Sequence, residues 1–347
     1  MNISKERMLR GLDLFTDETG ILQHSKFGVI DRRYGYTTDD NARALIAAMR
    51  YSRKHHGAKA LELAKTYLEF LLYSHIDGDG FHNLIGYNKS YLDERGTEDS
   101  IGHSIWAVGY TLNSEAPKMM TQLSRWLLDE SLPTLRGFTS PRGKALTLLG
   151  LCEYSQAFPD DKNLVSEVKV LSEYFVNKFE EESEAGWSWF EPYLTYANAR
   201  LPYALFESVR VTKNRHCLEV AKKSLDFLID TQFHDGMFIP VGTDGWFKKG
   251  GDKAVFDQQP IEASSMVDAS VSAYLTLNDE SYLSRARQAY AWFHGNNVLG
   301  VEMVDRDTYT CYDGLTTDGP NLNMGAESMI SYLLADLALE YTDLKVF

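Results

Sequence analysis

Asp39, Asp40, Asn41 and Arg43 stand together in Tyr34-Gly-Tyr-Thr-Thr-Asp-Asp-Asn-Ala-Arg-Ala, where an aromatic, hydroxyl-rich loop runs into a helix of small residues. Thr38 or Asp39 is expected to cap that helix, its side-chain oxygen accepting an orphan backbone N–H. One cap is enough, so the other polar groups are available for chemistry. Two adjacent carboxylates can divide labour, one holding the helix start and one facing a ligand, while an amide and a guanidinium can bind hydroxyls. The arrangement recurs at Thr97-Glu98-Asp99, Ser140-Pro-Arg142, Asn198-Ala-Arg200, Gln258-Gln259-Pro-Ile-Glu262, and Asn321 with Asn323 and Glu327. Aromatic residues precede several of these starts: Tyr34, Tyr36, Trp187, Trp189, Phe190, Tyr193 and Phe256. Rings for pyranose faces, amides and arginines for hydroxyls, and several carboxylates are the ingredients of a carbohydrate cleft.

Each of these residues also has a plainer role. Asp39 and Thr97 can be helix caps alone. Arg43 and Arg200 can pair with carboxylates inside the fold, Glu262 and Glu327 being the partners expected. His103 suits a satisfied core histidine, and His234, beside Asp235-Gly, a surface turn. Asp77-Gly-Asp-Gly resembles the opening of a calcium loop, but the spaced acceptors and terminal Glu are missing, so no metal is expected.

The elements that must position these groups are helical. Apolar residues recur with helical spacing over 4–16, 58–73, 115–130, 161–180, 216–231 and 280–294. Other helices are expected from Asp39 to near Tyr51, from Pro141, from near Asn198, through Glu262, and over about 323–341. Pro141 suits a first helical position. Leu61-Glu-Leu-Ala-Lys-Thr-Tyr-Leu-Glu-Phe-Leu matches Leu218-Glu-Val-Ala-Lys-Lys-Ser-Leu-Asp-Phe-Leu at seven of eleven positions, and Leu283 to Phe293 keeps the pattern. Asn41-Ala-Arg43 returns as Asn198-Ala-Arg200. Each unit is an amphipathic helix, a polar and aromatic loop, and a helix rich in Ala, Ser, Gly and Leu. Small residues let helix axes approach, so the second type is expected to be enclosed. Six such pairs in one domain, 1–347, predict an all-α (α/α)6 barrel over an open solenoid. The N-termini of its inner helices then converge with their loops on one mouth.

Composition narrows the function. A chain of 347 residues with 44% hydrophobic content has ample core, and its net charge of −14 disfavours nucleic acid or an anionic membrane as partner. Cys152, Cys217 and Cys311 are odd in number and far apart, which argues against a disulfide framework. With no apolar stretch at the N-terminus, a cytoplasmic location is expected.

The architecture and the phrase Tyr-Gly-Tyr-Thr-Thr-Asp-Asp-Asn-Ala-Arg-Ala resemble the six-hairpin glycosidase superfamily. The nearer resemblance is to a bacterial domain found alone or fused behind glycosyltransferases, which implies a glycosyltransferase as partner. The chain itself has no nucleotide-sugar-binding pattern. The resemblance implies a glycoside hydrolase without cofactor, commonly inverting, with carboxyl groups about 6.5–9.5 Å apart. Glu191, among aromatic residues that can raise its pKa, is the expected acid, and Asp40, Asp99 and Glu262 are candidate bases. Tyr36, Asp39, Asn41, Arg43, Glu98, Trp189, Arg200, Gln259, Asn323 and Glu327 are expected to bind the substrate. The alternatives are a sugar epimerase or isomerase of the N-acylglucosamine-epimerase type, for which the mouth is poor in histidine, a phosphorylase with Arg142, Lys144 and Arg200 as anion holders, and a non-catalytic sugar-binding domain.

Overall fold

The structure, a computed structural model, describes residues 7–342. The N-terminal helix expected from residue 4 thus starts outside the described residues, and its described part is α1, Arg10–Phe15. The described residues are 58% helix and 12% strand, with no closed sheet among them. The remaining helices are α2 (Thr38–His55), α3 (Ala58–Ser74), α4 (Glu98–Leu112), α5 (Lys118–Leu135), α6 (Pro141–Ala157) and α7 (Lys162–Glu182). They continue with α8 (Arg200–Thr212), α9 (Arg215–Gln232), α10 (Pro260–Leu277), α11 (Glu280–Ala291) and α12 (Ala326–Thr342). None is long and apolar enough to cross a membrane.

The two helix types are distinct in burial. From Ser100 to Leu112 every residue of α4 is buried, as is every residue of α10 from Pro260 to Ala273. By contrast α5 buries only Met120, Ser124, Leu127, Leu128 and Ser131, one stripe of an otherwise wetted helix.

Contacts group the chain into two compact units. The first takes residues 1–168, 307–309 and 323–330, and the second takes 169–306, 310–322 and 331–347. In the first, α4 packs between α2 and α6, with α3 against α2 and α5 against α4. In the second, α8 packs against α9 and α10, and α11 lies on α10.

The contact between α4 and α6 is close because its crossing is made of glycine. Gly102 and Gly109 lie two turns apart on α4, as Gly143 and Gly150 do on α6. A Cβ on Gly109 would strike the Gly150 carbonyl, and one on Gly150 would strike that of Ile105.

Helix starts fall close to the expected places, with instructive shifts. Thr97 and Ser140 cap α4 and α6 by accepting the N–H of Ser100 and Gly143. The cap of α2 is Thr37 and neither Thr38 nor Asp39, the two expected, because Thr37 ends a short strand and its hydroxyl accepts Asp40 N–H. Both α8 and α12 begin slightly later than expected, at Arg200 and Ala326, since a turn occupies the residues before α8 and Gly325, before α12, is bridged to His24.

Gly109→Ala is expected to destabilise the protein by about 1–3 kcal/mol, the usual cost of overpacking. Gly137→Ala, where the added carbon meets only Thr134 O at 3.7 Å, should stay within about 0.5 kcal/mol. Urea unfolding midpoints check both.

Candidate functional site

The start of α2 is built by two chain segments. Strand Tyr36–Thr37 pairs antiparallel with Leu84–Ile85. Beyond it Thr38 N donates to Asn83 O at 3.0 Å, and Asp39 N to Asn83 Oδ1 at 3.1 Å. Asn41 completes the brace: its Oδ1 accepts Ile21 N at 3.0 Å and its Nδ2 donates to Thr37 O at 2.8 Å. Fully buried, Asn41 holds the backbone and has no face for the substrate expected of it.

One turn into α2, Arg43 collects the chemistry of the first unit. Its Nη1 reaches Asp40 Oδ1 at 2.9 Å, and its Nη2 reaches Asp39 Oδ2 at 3.4 Å and Glu327 Oε2 at 3.0 Å. Its Nε donates to His103 Nε2 at 3.3 Å, which places that ring's proton on Nδ1. The side chains of Arg43 and Asp40 are buried, while that of Asp39 is 25% exposed and that of Glu327 is 42% exposed. Because Asp39 and Glu327 share one nitrogen, their bonded oxygens are at most about 6.4 Å apart, the sum of the 3.4 and 3.0 Å contacts.

Three carboxyl groups around one cation cannot all ionise freely. Burial pushes the Asp40 carboxyl up to about 7, the charges of Asp39 and Glu327 add to the rise, and Arg43 and the Thr37 hydroxyl oppose it. Burial works against the Arg43 charge too, but Asp39, Glu327 and Asp40 together hold its pKa above the ordinary value.

The second pair of acids in this unit is held by the next helix. Glu98 Oε2 accepts the backbone N–H of Thr139 at 2.7 Å and of Ser140 at 2.5 Å, so it steadies the start of α6. Asp99 Oδ1 accepts Ser140 Oγ at 2.8 Å. Asn323 is half-buried ahead of α12.

In the second unit Glu262 grips the turn before α8. One carboxylate oxygen accepts Ala197 N, and the other accepts Asn198 Nδ2 at 3.4 Å. Arg200 pairs with an acid that the sequence reading did not name. Its Nη1 pairs with Asp268 Oδ2 at 2.5 Å, and both side chains are buried. Asp268 was identifiable in principle, being an acid in a stretch of α10 otherwise made of small and apolar residues. Glu191 is buried, and its carbonyl accepts the Trp187 indole N–H at 2.8 Å. Gln259 stands at the N-cap of α10 without a side-chain cap bond.

Two aromatic residues expected to face a sugar are enclosed instead. Tyr36 packs with Leu22, Phe70 and Ile85, and its hydroxyl donates to Asp17 Oδ2 at 2.7 Å. Trp189 is 0% exposed, with Phe190 edge-on at 5.0 Å. An apolar ring placed before a helix is drawn into the core unless a polar turn holds it out. Among the described residues, no three His, Cys, Asp or Glu side chains are placed to share a metal ion.

No protein-family model and no curated protein sequence matches the chain. Solved structures do resemble it. A sugar epimerase from a ruminal bacterium aligns over 100% of both chains with a TM-score of 0.76 at 13% identity. The cellobiose 2-epimerase of Bacillus thermoamylovorans B4167 aligns over 99% of this chain and 100% of its own, with a TM-score of 0.75 at 13% identity. An α-1,6-mannanase of Salegentibacter sp. HEL1_6 was solved with α-1,6-mannotriose as an inactive variant, two consecutive aspartates changed to asparagine. It aligns over 98% of each chain with a TM-score of 0.66 at 11% identity. These likenesses establish the fold as the (α/α)6 barrel.

The native chain holds the Asp40 proton more tightly than the unfolded chain does. Between about pH 4 and pH 7 the native state therefore binds more protons, and stability falls as pH rises through that window. Asp40→Asn should flatten this decline, measured as urea midpoints from pH 5 to 8.

Proposed function

We propose that the protein is a carbohydrate-active enzyme of the glycoside hydrolase type, with Asp39 and Glu327 as its working carboxyl groups. The observation that carries this reading is their convergence on Arg43, both partly open to solvent, beside a buried acid that keeps its proton towards neutrality. The fold's likeness to sugar epimerases and a mannanase supports the substrate class. The mannanase variant, inactive with two consecutive aspartates replaced, supports a role for adjacent acids in such a barrel.

Asp39 lies in the first turn of α2, its Oδ1 accepting the N–H of Asp40 and its Oδ2 accepting from Arg43. It is assigned as the nucleophile. It attacks the anomeric carbon while Glu327 gives its proton to the leaving oxygen. Glu327 then takes a proton from water, which attacks the same carbon and releases Asp39. Asp40 holds the cluster's spare proton. With bonded oxygens at most about 6.4 Å apart, the two groups can reach the carboxyl spacing of about 5–5.5 Å that retention uses, and we assign retention in place of the inversion expected from the sequence.

One observation favours a second reading. His103 sits on the same arginine, and an imidazole there suits the proton transfers of a sugar epimerase.

Proton NMR with gluco-, manno- and galacto-configured oligosaccharides tests both. First appearance of the substrate's own anomeric configuration supports the retaining hydrolase. A changed reducing-end sugar with its glycosidic bond intact supports the epimerase and removes the hydrolase. For the hydrolase, Asp39→Asn and Glu327→Gln should each lower kcat roughly a hundred- to ten-thousandfold.

A further inference from the structure

Tyr196 and Trp246, in the second unit, stand on two loops that are locked together. Strand Phe247–Lys248 pairs antiparallel with Tyr193–Leu194, with Phe247 opposite Leu194. That register turns the Phe247 ring towards Trp187, at 5.2 Å. It leaves Tyr196 and Trp246 together at the surface, ring centroids 6.4 Å apart and planes inclined at 51°. Tyr196 is 41% exposed and Trp246 is half-buried.

Both rings are held by unusual backbone. Ala197, next to Tyr196, has φ of +47°, and Trp246 itself has φ of +60°. Each is a non-glycine residue in the left-handed region, at a cost on the order of 1 kcal/mol. Neither distortion buries its ring. Each is instead fixed from outside. Glu262 grips Ala197 N–H, and Asn198 ties the turn through Thr195 N at 3.0 Å and Thr195 O at 2.7 Å. Trp246 is clamped through its own N–H to Gly242 O at 3.2 Å and through its carbonyl from Ala254 N at 2.9 Å. A buried carboxylate, an amide and two strained residues thus serve to present two aromatic faces.

We propose that Tyr196 and Trp246 form a corner that receives a pyranose ring, stacked by its C–H face on one ring and edged by the other. The proposal rests on the reading of the protein as carbohydrate-active. An inclined aromatic pair of this size fits one sugar unit, and the exposed Asp244 and Lys248 on the same loop offer groups for its hydroxyls. Glu262, expected from the sequence to be catalytic, becomes a positioning residue that fixes Tyr196.

Tryptophan fluorescence provides the test. Of the six tryptophans, Trp106, Trp187, Trp189 and Trp292 are at most 4% exposed, and Trp126 is 43% exposed. In a Trp126→Phe chain, acrylamide therefore reports mainly on Trp246. Linear gluco-, manno- and galacto-trisaccharides are titrated against it, with saturation-transfer NMR in parallel. At least one should bind and shield Trp246 saturably, and Trp246→Ala should weaken its binding roughly three- to tenfold. Binding that leaves Trp246 fully quenchable overturns the corner and spares the enzyme reading. Absence of binding by all three to the natural chain overturns both. If Trp246→Ala fails to fold, shielding in the Trp126→Phe chain decides the matter.

Discussion

A buried guanidinium governs the first unit. Arg43 is 7% exposed, and removing such a charge from water costs several kcal/mol unless neighbours replace its hydration. Asp40, Asp39, Glu327 and His103 supply that replacement in four directions. The constraint then acts back on them. Asp40 lies too deep to remain an ordinary carboxylate, so it keeps its proton higher in pH, while Asp39 and Glu327 bridge the arginine and water. The excess of polar groups at residues 39–43 thus has a cause beyond helix capping: one buried cation needs several acceptors, and the helix start is where they can be gathered.

The enclosed helices explain why chemistry gathers at their ends. A helix buried on all sides, as α4 and α10 are, can carry a polar side chain only where a partner waits or where the helix stops. The α4–α6 crossing, with glycines in backbone contact, leaves no volume there for any side chain. The pair of Arg200 and Asp268 is one such case, as is Ser272 Oγ donating to Glu207. The members of the ion pair lie on two enclosed helices, and loss of either would leave a buried charge without this counter-ion.

The architecture was legible because it depends on periodicity and residue size, which the sequence displays directly. The contrast between wetted α5 and enclosed α10, the Thr97 cap and Pro141 in the first turn of α6 follow from such local signals. Tertiary partners were less legible. Arg200 met Asp268 because the choice depended on how far α8 and α10 overlap, which spacing along one chain does not encode. Tyr36 and Trp189 were enclosed, whereas Tyr196 and Trp246 were held out by turns whose strain no residue type announces.

Carboxylates that look alike in the sequence differ in how many lone pairs the fold leaves them. Glu98 receives two backbone N–H groups on one oxygen, and Glu262 receives a backbone N–H and an amide. Both perform mechanical tasks, bracing a helix start or a turn. Asp39 keeps one oxygen on the N–H of Asp40, but its other oxygen and Glu327 Oε2 meet, among the described residues, only the Arg43 side chain in carboxyl groups partly open to solvent, so on the proposed reading a substrate can replace those contacts without unfolding anything. A reacting carboxyl must exchange partners during turnover, and only groups of this second kind can do so cheaply. On the proposed reading, chemistry in this fold belongs to the acids whose hydrogen bonds are exchangeable, and Asp40, buried beside them, holds its proton without having to move.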